Sequence, residues 1–355
     1  MALSSDGMIL AVGAWRSSNR GRVKIYKFSI EFDEWVQLGG DLDGQGGKDI
    51  RFGRSVALSG DGTVLAVGTE RQEVNGNFKV GRAEVFEWNE ESWVPKGSHI
   101  DGKAEKDQFG TAIDLANDGM VVAVGANSLE ALGSVRIYEW RIATADWQQL
   151  GDDLLGTSQG DSFGYAVSLS SDGSIVACGA RWDGRNSAGR VRIFKWNGAS
   201  WNQRGPVIDG DEQDFFGTSV ALSGDGDVVA VGASRGNKCK VYRYSGDWTQ
   251  VGQELRGEGF VDSFGSAVSL SSGGDVLVVG ASGHDSRRGH VTVYQLTPEP
   301  TVWVKVGDIL GESLGDASGA TLAMSHDGLI VAVGAPNNDG VNGEDSGQVR
   351  VFELR

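Results

Sequence analysis

One pattern returns seven times along these 355 residues. It is written most fully as Ser55-Val-Ala-Leu-Ser-Gly-Asp-Gly-Thr-Val-Leu-Ala-Val-Gly68, and its copies centre on Gly7, Gly62, Gly119, Gly173, Gly226, Gly274 and Gly328, with Gly273 once in place of the turn aspartate. The mean spacing is about 53 residues, longer than common helical repeats and suited to a four-stranded propeller blade. A unit of this size cannot bury its apolar faces alone, so the copies must pack on one another.

Each copy reads as four strands. Strand a, Val56-Ala-Leu-Ser59, is reached through Phe52-Gly53 and turns at Gly60-Asp-Gly62, where Asp-Gly between apolar runs signals a hairpin. Strand b, Val64-Leu-Ala-Val-Gly68, is apolar on both faces, as a sheet sandwiched between sheets requires. Strand c alternates, as in Val135-Arg-Ile-Tyr-Glu-Trp140, with sisters at Val23, Val85, Val191, Val241 and Val349. Strand d carries a tryptophan and ends in Leu-Gly, as in Trp147-Gln-Gln-Leu-Gly151. No apolar stripe of period 3.6 is sustained, so almost no helix is predicted. The expectation is an all-β, seven-bladed β-propeller with four-stranded antiparallel blades. It forms a single domain, 1–355, with blades near 1–47, 48–104, 105–158, 159–211, 212–259, 260–313 and 314–355.

Tryptophan placement fits this reading. Trp35, Trp93, Trp147, Trp201, Trp248 and Trp303 share one position on strand d, and Trp88, Trp140 and Trp196 end strand c. Large rings there fill the widening wedges between outer strands. Copy one starts inside strand a and copy seven stops after strand c, so the outer strand of the last blade is missing from the chain. We therefore expect a piece of a longer protein, or a gene model that starts late.

Composition narrows the partners. The 55 glycines follow no G-X-Y period, two cysteines cannot staple a disulfide scaffold, and 39% hydrophobic residues suffice for a large core. No apolar run reaches the ~18–20 residues of a membrane helix, and no signal peptide is visible. A net charge of −16 repels nucleic acid and anionic membranes.

The pairs Phe52-Gly53, Phe109-Gly110, Phe163-Gly164, Phe216-Gly217 and Phe264-Gly265, with the later Val-Gly-Ala and Val333-Gly-Ala-Pro336, resemble the FG-GAP repeat of integrin-alpha-type β-propellers. Copy seven departs with Ser318-Gly319. The resemblance spans essentially the whole chain. It implies a seven-bladed propeller used for adhesion or binding, extracellular or at the cell surface, with d–a and b–c loops facing the ligand. The family's calcium loop is missing: Ser5-Asp6-Gly7, Asn117-Asp118-Gly119 and Ser171-Asp172-Gly173 offer one carboxylate each, so no metal or other cofactor is expected.

Other recurrences read as architecture. Asp107, Asp161, Asp214, Asp262 and Asp316 precede each Phe-Gly or Ser-Gly by two residues, with Asp49 shifted by one. They would ring a channel mouth, and each is expected to accept N–H groups following it in an Asx-turn. A basic residue recurs in strand c at Lys24, Arg136, Arg192, Lys240 and Arg350, its stem covering an aromatic neighbour. Gly160-Asp-Ser-Phe-Gly164 mimics a nucleophile elbow, and Gly97-Ser-His-Ile-Asp-Gly-Lys103 mimics a P-loop, but neither leads into a helix. Cys178 and Cys239 read as buried free thiols, and His99, His284, His290 and His326 have no metal-ligand spacing.

What differs between copies is the b–c loop. Trp15, Arg16, Arg181, Trp182, Arg185 and His284 are the ligand-binding candidates, because an exposed Trp beside Arg suits a sugar ring or peptide side chain. The loop 337–345, rich in Asn and Asp, is a candidate for weak calcium binding. The expected function is a non-enzymatic binding propeller for a protein or glycan partner. The alternatives are a polysaccharide-acting enzyme at the channel mouth or a structural spacer in a larger surface protein. An enzyme would need an acid–base pair, and no copy is expected to break the repeat to supply one.

Overall fold

In the computed structural model each copy of the repeat forms one antiparallel sheet. The fold is all-β, a seven-bladed propeller with four-stranded blades whose last blade has three strands. The structure describes residues 1–47, 50–128, 130–259, 261–339 and 346–354, leaving out the Ser18 side chain. Asp49 lies outside the described residues. Helix among them is limited to short turns at Ser17–Asn19, Arg185–Ser187 and His284–Arg287.

Blade three shows the pattern. Phe109–Leu115 pairs with Val121–Ala126, which pairs with Ser134–Arg141. The far edge of Ser134–Arg141 is taken by Asp146–Gln149 and then by Leu154–Leu155. Two sequence expectations change here. Phe-Gly is the first step of strand a, with a bulge between Phe109 and Ala112, rather than a lead-in. Strand d does not end at Leu-Gly in blades one to five; it breaks there and resumes. In blade six the same strand, Thr301–Leu310, is continuous. Val85 and Val241 also sit two residues beyond their supposed sisters, opposite Ala66 and Ala230, which leaves the buried face unchanged.

Chain contacts group the residues into two compact units, 1–176 with 195–202 and 177–194 with 203–355. In the first unit, Phe109, Ile113, Val122, Val124, Tyr138 and Trp147 form a buried cluster with Ala66 and Val85. In the second, Phe264, Leu277, Val279, Tyr294 and Trp303 do the same with Val228 and Val241. The Phe of each Phe-Gly is among the largest fully buried side chains.

Two contacts between successive copies explain the motif. The strand-b glycine of one copy lies against the Phe-Gly carbonyl of the next: a Cβ on Gly125 would overlap the carbonyl oxygen of Gly164, and one on Gly232 that of Gly265. Gly164, at φ 84°, takes a conformation closed to most side chains. Further out, each strand-d indole donates its N–H to a carbonyl of the preceding copy. Trp93 reaches Leu38 at 3.1 Å, Trp147 reaches Lys96 at 2.8 Å and Trp201 reaches Leu150 at 2.8 Å. In the second unit Trp248 reaches Arg204 at 2.7 Å and Trp303 reaches Val251 at 3.1 Å. The glycine after that carbonyl, Gly97 beneath Trp140 and Trp147 for example, leaves room for the rings.

The a–b turns are held from within. Asp61 accepts the Ser59 hydroxyl at 2.6 Å and the Thr63 N–H at 2.9 Å, while Ser59 Oγ accepts the Val64 N–H at 2.9 Å. Successive turns also join: Ser5 N–H to Gly60 O, Gly60 N–H to Asn117 O, and Asn117 N–H to Ser171 O. Cys178 and Cys239 are buried free thiols. Burial pushes the Cys239 thiol up to about 12 and raises that of Cys178 as well.

Asp114 is the odd carboxylate of this framework. Its oxygens accept the Leu115 N–H at 2.9 Å and the Leu169 N–H at 2.7 Å, and burial raises its pKa from 3.8 to about 6. The native state therefore binds its proton before the unfolded chain does, so this group adds stability as pH falls from about 7 to about 4. At one pKa unit per 1.36 kcal/mol the gain is on the order of 2 kcal/mol. Urea melts from pH 7.5 to 4.5 should show the wild type gaining on Asp114→Ser over that interval; parallel profiles would contradict the shift.

Candidate functional site

At one end of every blade strand b runs into c and strand d runs into the next a. The residue before each Phe-Gly or Ser-Gly is left-handed: φ is 64° at Arg51, 56° at Gln108 and Ser162, 57° at Phe215, and 55° at Ser263 and Ala317. Backbone is thus held constant while side chain varies, which makes this end a scaffold for copy-specific chemistry.

The five recurrent aspartates are all buried there. Asp107 accepts the Lys103 N–H at 3.0 Å, Asp161 that of Thr157 at 2.8 Å, Asp214 that of Asp211 at 3.1 Å, Asp262 that of Gly259 at 2.6 Å and Asp316 that of Ser313 at 2.9 Å. These donors precede the aspartate, where the sequence led us to expect following ones; Asp161 also reaches forward to the Phe163 N–H at 3.0 Å. The preceding loop must fold back to start strand a, and the carboxylate meets it on the inside of that bend. Remaining partners differ by copy: Arg136 for Asp107 at 2.8 Å, Lys238 for Asp214 at 2.7 Å, and the Asn338 amide for Asp316 at 2.8 Å.

The six loop candidates divide between the two units. Trp15 and Arg16 belong to the first unit, with Arg16 stacked on the Trp15 ring 4.4 Å from its centroid. Arg181, Trp182, Arg185 and His284 belong to the second. Trp182 is 40% exposed and meets Phe215 with ring centroids 4.9 Å apart. Arg181 lies over Trp182 at 5.5 Å and Arg235 over Phe215 at 5.1 Å, so each ring carries a cation. Phe215 and Arg235 were missed in the sequence; the signal was an aromatic in a column otherwise filled by Arg51, Gln108, Ser162, Ser263 and Ala317. Arg185 points into solvent, 3.8 Å from Glu212.

His284 stands closest to chemistry. The Gly283 N–H donates to the Asp262 carbonyl at 2.8 Å, pressing the b–c loop of copy six onto the d–a loop. His284 Nδ1 then lies 3.1 Å from Asp262 Oδ2, out of line for a hydrogen bond. Its ring packs 5.0 Å from that of His290, whose Nε2 contacts Asp308 at 2.7 Å. Asp285, Ser286 and Arg287 follow with φ of 45°, 55° and 66°. Three successive non-glycine residues in that region store strain of the kind that collects at working sites. Among the described residues no group of three or more His, Cys, Asp or Glu could hold a metal ion. Of the loop 337–345, residues 340–345 lie outside the described residues, and the Asn337 amide donates to the Gly315 carbonyl at 3.3 Å.

The family model for the FG-GAP repeat matches residues 208–246, the segment that carries Phe216-Gly217 and Val231-Gly-Ala233. The chain carries an FG-GAP repeat on a seven-bladed propeller. No curated protein matches it. Among solved structures, this propeller is similar to a candidate 6-phosphogluconolactonase from Bacteroides uniformis, with a TM-score of 0.69 and 12% identity over 98% of this chain and 92% of that one. It is similar to the periplasmic gluconolactonase PpgL of Pseudomonas aeruginosa, with 0.66 and 18% over 98% and 96%. It is also similar to hydrazine synthase of Kuenenia stuttgartiensis, with 0.64 and 14% over 99% and 94%. These likenesses show the fold.

They correct the expectation of a non-enzymatic adhesion module, since the three similar proteins named here are described as lactonases and a synthase. Copy six breaks the repeat to set an imidazole against a buried carboxylate.

Proposed function

We propose that the protein is a hydrolase that opens a sugar lactone. The observation that carries this reading is His284 beside Asp262, a pair only copy six can make, because the other described b–c loops bring no histidine to their aspartate. The carboxylate at Nδ1 favours the tautomer with Nε2 unprotonated, and such pairs tighten when substrate binds. His284 takes a proton from water, the hydroxide adds to the lactone carbonyl carbon, and the tetrahedral intermediate collapses with cleavage of the ring C–O bond. The proton returns to the departing ring oxygen, giving the open hydroxy acid. In the same unit, the exposed face of Trp182 against Phe215 offers a flat surface for the sugar ring, flanked by Arg181 and Arg235. The gluconolactonases that share the fold support lactone as the substrate class.

The test is proton release followed by pH-stat with δ-gluconolactone and with 6-phosphogluconolactone, each corrected for spontaneous opening. The expected result is acceleration of at least one of them. Trp182→Ala should then raise KM about tenfold with little change in kcat, the signature of lost ring binding. Rates equal to background on both lactones would overturn the reading.

A further inference from the structure

Copy six also differs from its sisters on strand c. The residue paired with the end of strand b is Arg22, Arg82, Ser134, Lys238 and Gln348 in copies one, two, three, five and seven, and His290 in copy six. The column varies, so its chemistry is copy-specific. In copy five Lys238 Nζ lies 2.7 Å from Asp214 Oδ2, the oxygen that also takes the Asp211 N–H. Asp262 is the counterpart of Asp214 in copy six, and its Oδ2 likewise takes a loop N–H, from Gly259 at 2.6 Å. An imidazole on strand c is shorter than a lysine, and here it leaves that oxygen to the loop, where His284 Nδ1 stands at 3.1 Å. His290 turns instead to Asp308, with Nε2 2.7 Å from Oδ1, while Lys305 holds Oδ2 at 2.8 Å. What His290 presents to His284 is its ring, with centroids 5.0 Å apart and planes tilted by 45°.

The two rings are anchored unequally. His290 is 5% exposed, on a strand paired with Ala281 on one side and Leu310 on the other. His284 opens a loop whose next three residues are left-handed, and its Nδ1 has no in-line hydrogen bond among the described residues. The Cβ–Cγ torsion of a histidine is broad and roughly two-fold, so contact with one carboxylate does not fix the ring. A half-turn would set Cδ2 where Nδ1 now stands and leave neither nitrogen with Asp262. We propose that His290 is the positioning residue of the site: its ring is the wall that stops His284 turning and keeps Nδ1 on Asp262. A wall on a doubly paired strand holds a loop side chain more narrowly than the loop itself can. This role rests on the lactonase reading, because direction and tautomer matter for an imidazole that moves a proton.

The test uses the whole chain with His290→Ser, which installs the residue of copy three and removes the ring, and His290→Phe, which keeps a flat ring beside His284. Turnover is followed on the lactone that the wild type opens. Long-range 1H–15N spectra of the imidazoles at pH 8 read the tautomer of His284, assigned by the signals lost in His284→Gln. In the wild type His284 should be protonated at Nδ1 alone. His290→Ser should mix the two tautomers and lower kcat at least tenfold with KM within about twofold, since misdirecting a proton acceptor costs rate rather than binding. His290→Phe should keep the single tautomer and a kcat at least fivefold above that of His290→Ser. If His290→Ser does not fold, His290→Gln, the residue of copy seven, takes its place with the same expectation. An unmixed tautomer or an unchanged kcat in His290→Ser, or equal kcat in the two variants, would overturn this role and leave the lactonase reading standing. A wild type that opens neither lactone would overturn both.

Discussion

Gly125→Ala should leave little folded protein. The added methyl would overlap the Gly164 carbonyl oxygen, and that atom belongs to backbone, so no rotamer change can relieve the clash. Overpacking against side chains typically costs 1–3 kcal/mol. Here strand Val121–Ala126 is buried between its own sheet and the next copy, so either the pairing of Val121–Ala126 with Ser134–Arg141 or the approach of Gly164 must yield. A loss above about 4 kcal/mol is expected, a size that belongs to a named mechanism of this kind. Gly40→Ala is the control, with no atom within 4 Å of the added carbon, and should stay within about 0.5 kcal/mol of wild type. Soluble yield and urea denaturation read both; similar stabilities would mean that successive copies do not touch where the glycines place them.

Trp147→Ala should be the second large effect. It removes a buried ring that packs edge-on against Trp140 at 5.5 Å and leaves the Lys96 carbonyl without its indole donor. Large-to-small changes of this kind cost about 3–5 kcal/mol. Trp147→Phe separates the two parts: it keeps most of the apolar area and loses only the hydrogen bond, for about 1–2 kcal/mol. Trp35 is only partly buried, so Trp35→Ala should cost clearly less. Equal losses at Trp35 and Trp147 would contradict the role given to the contact between copies.

The repeat made the fold legible because its spacing, its Asp-Gly turns and its tryptophan column are all consequences of one sheet stacked on its like. Phe-Gly and Leu-Gly were visible as signatures but not as contacts. Their meaning lies in the neighbouring copy, where Gly125 meets Gly164 and Gly97 lies under Trp147, and a single copy does not contain that neighbour. The functional residues were harder to read for the opposite reason. Recurrence drew attention to the shared aspartates, while Phe215 and His284 stand at positions that vary from copy to copy. His284 was named from its loop, yet its pairing with Asp262 depends on a backbone bond from Gly283 that sequence spacing does not reveal. Asp262 had been read only as one of a set. Comparing the variable columns beside the constant ones would have found Phe215.

Shared positions build this propeller; on the proposed reading, His284 in a variable loop acts on the substrate. The most direct measurement of that claim is the δ-gluconolactone turnover of His284→Gln beside its melting temperature. The imidazole is a loop side chain outside the buried clusters, so the variant should melt within about 2 °C of wild type while its rate falls roughly 10²–10⁴-fold, the range for a lost general base. A variant that turns over lactone as fast as wild type would contradict the account, and so would one whose loss of rate is matched by loss of fold.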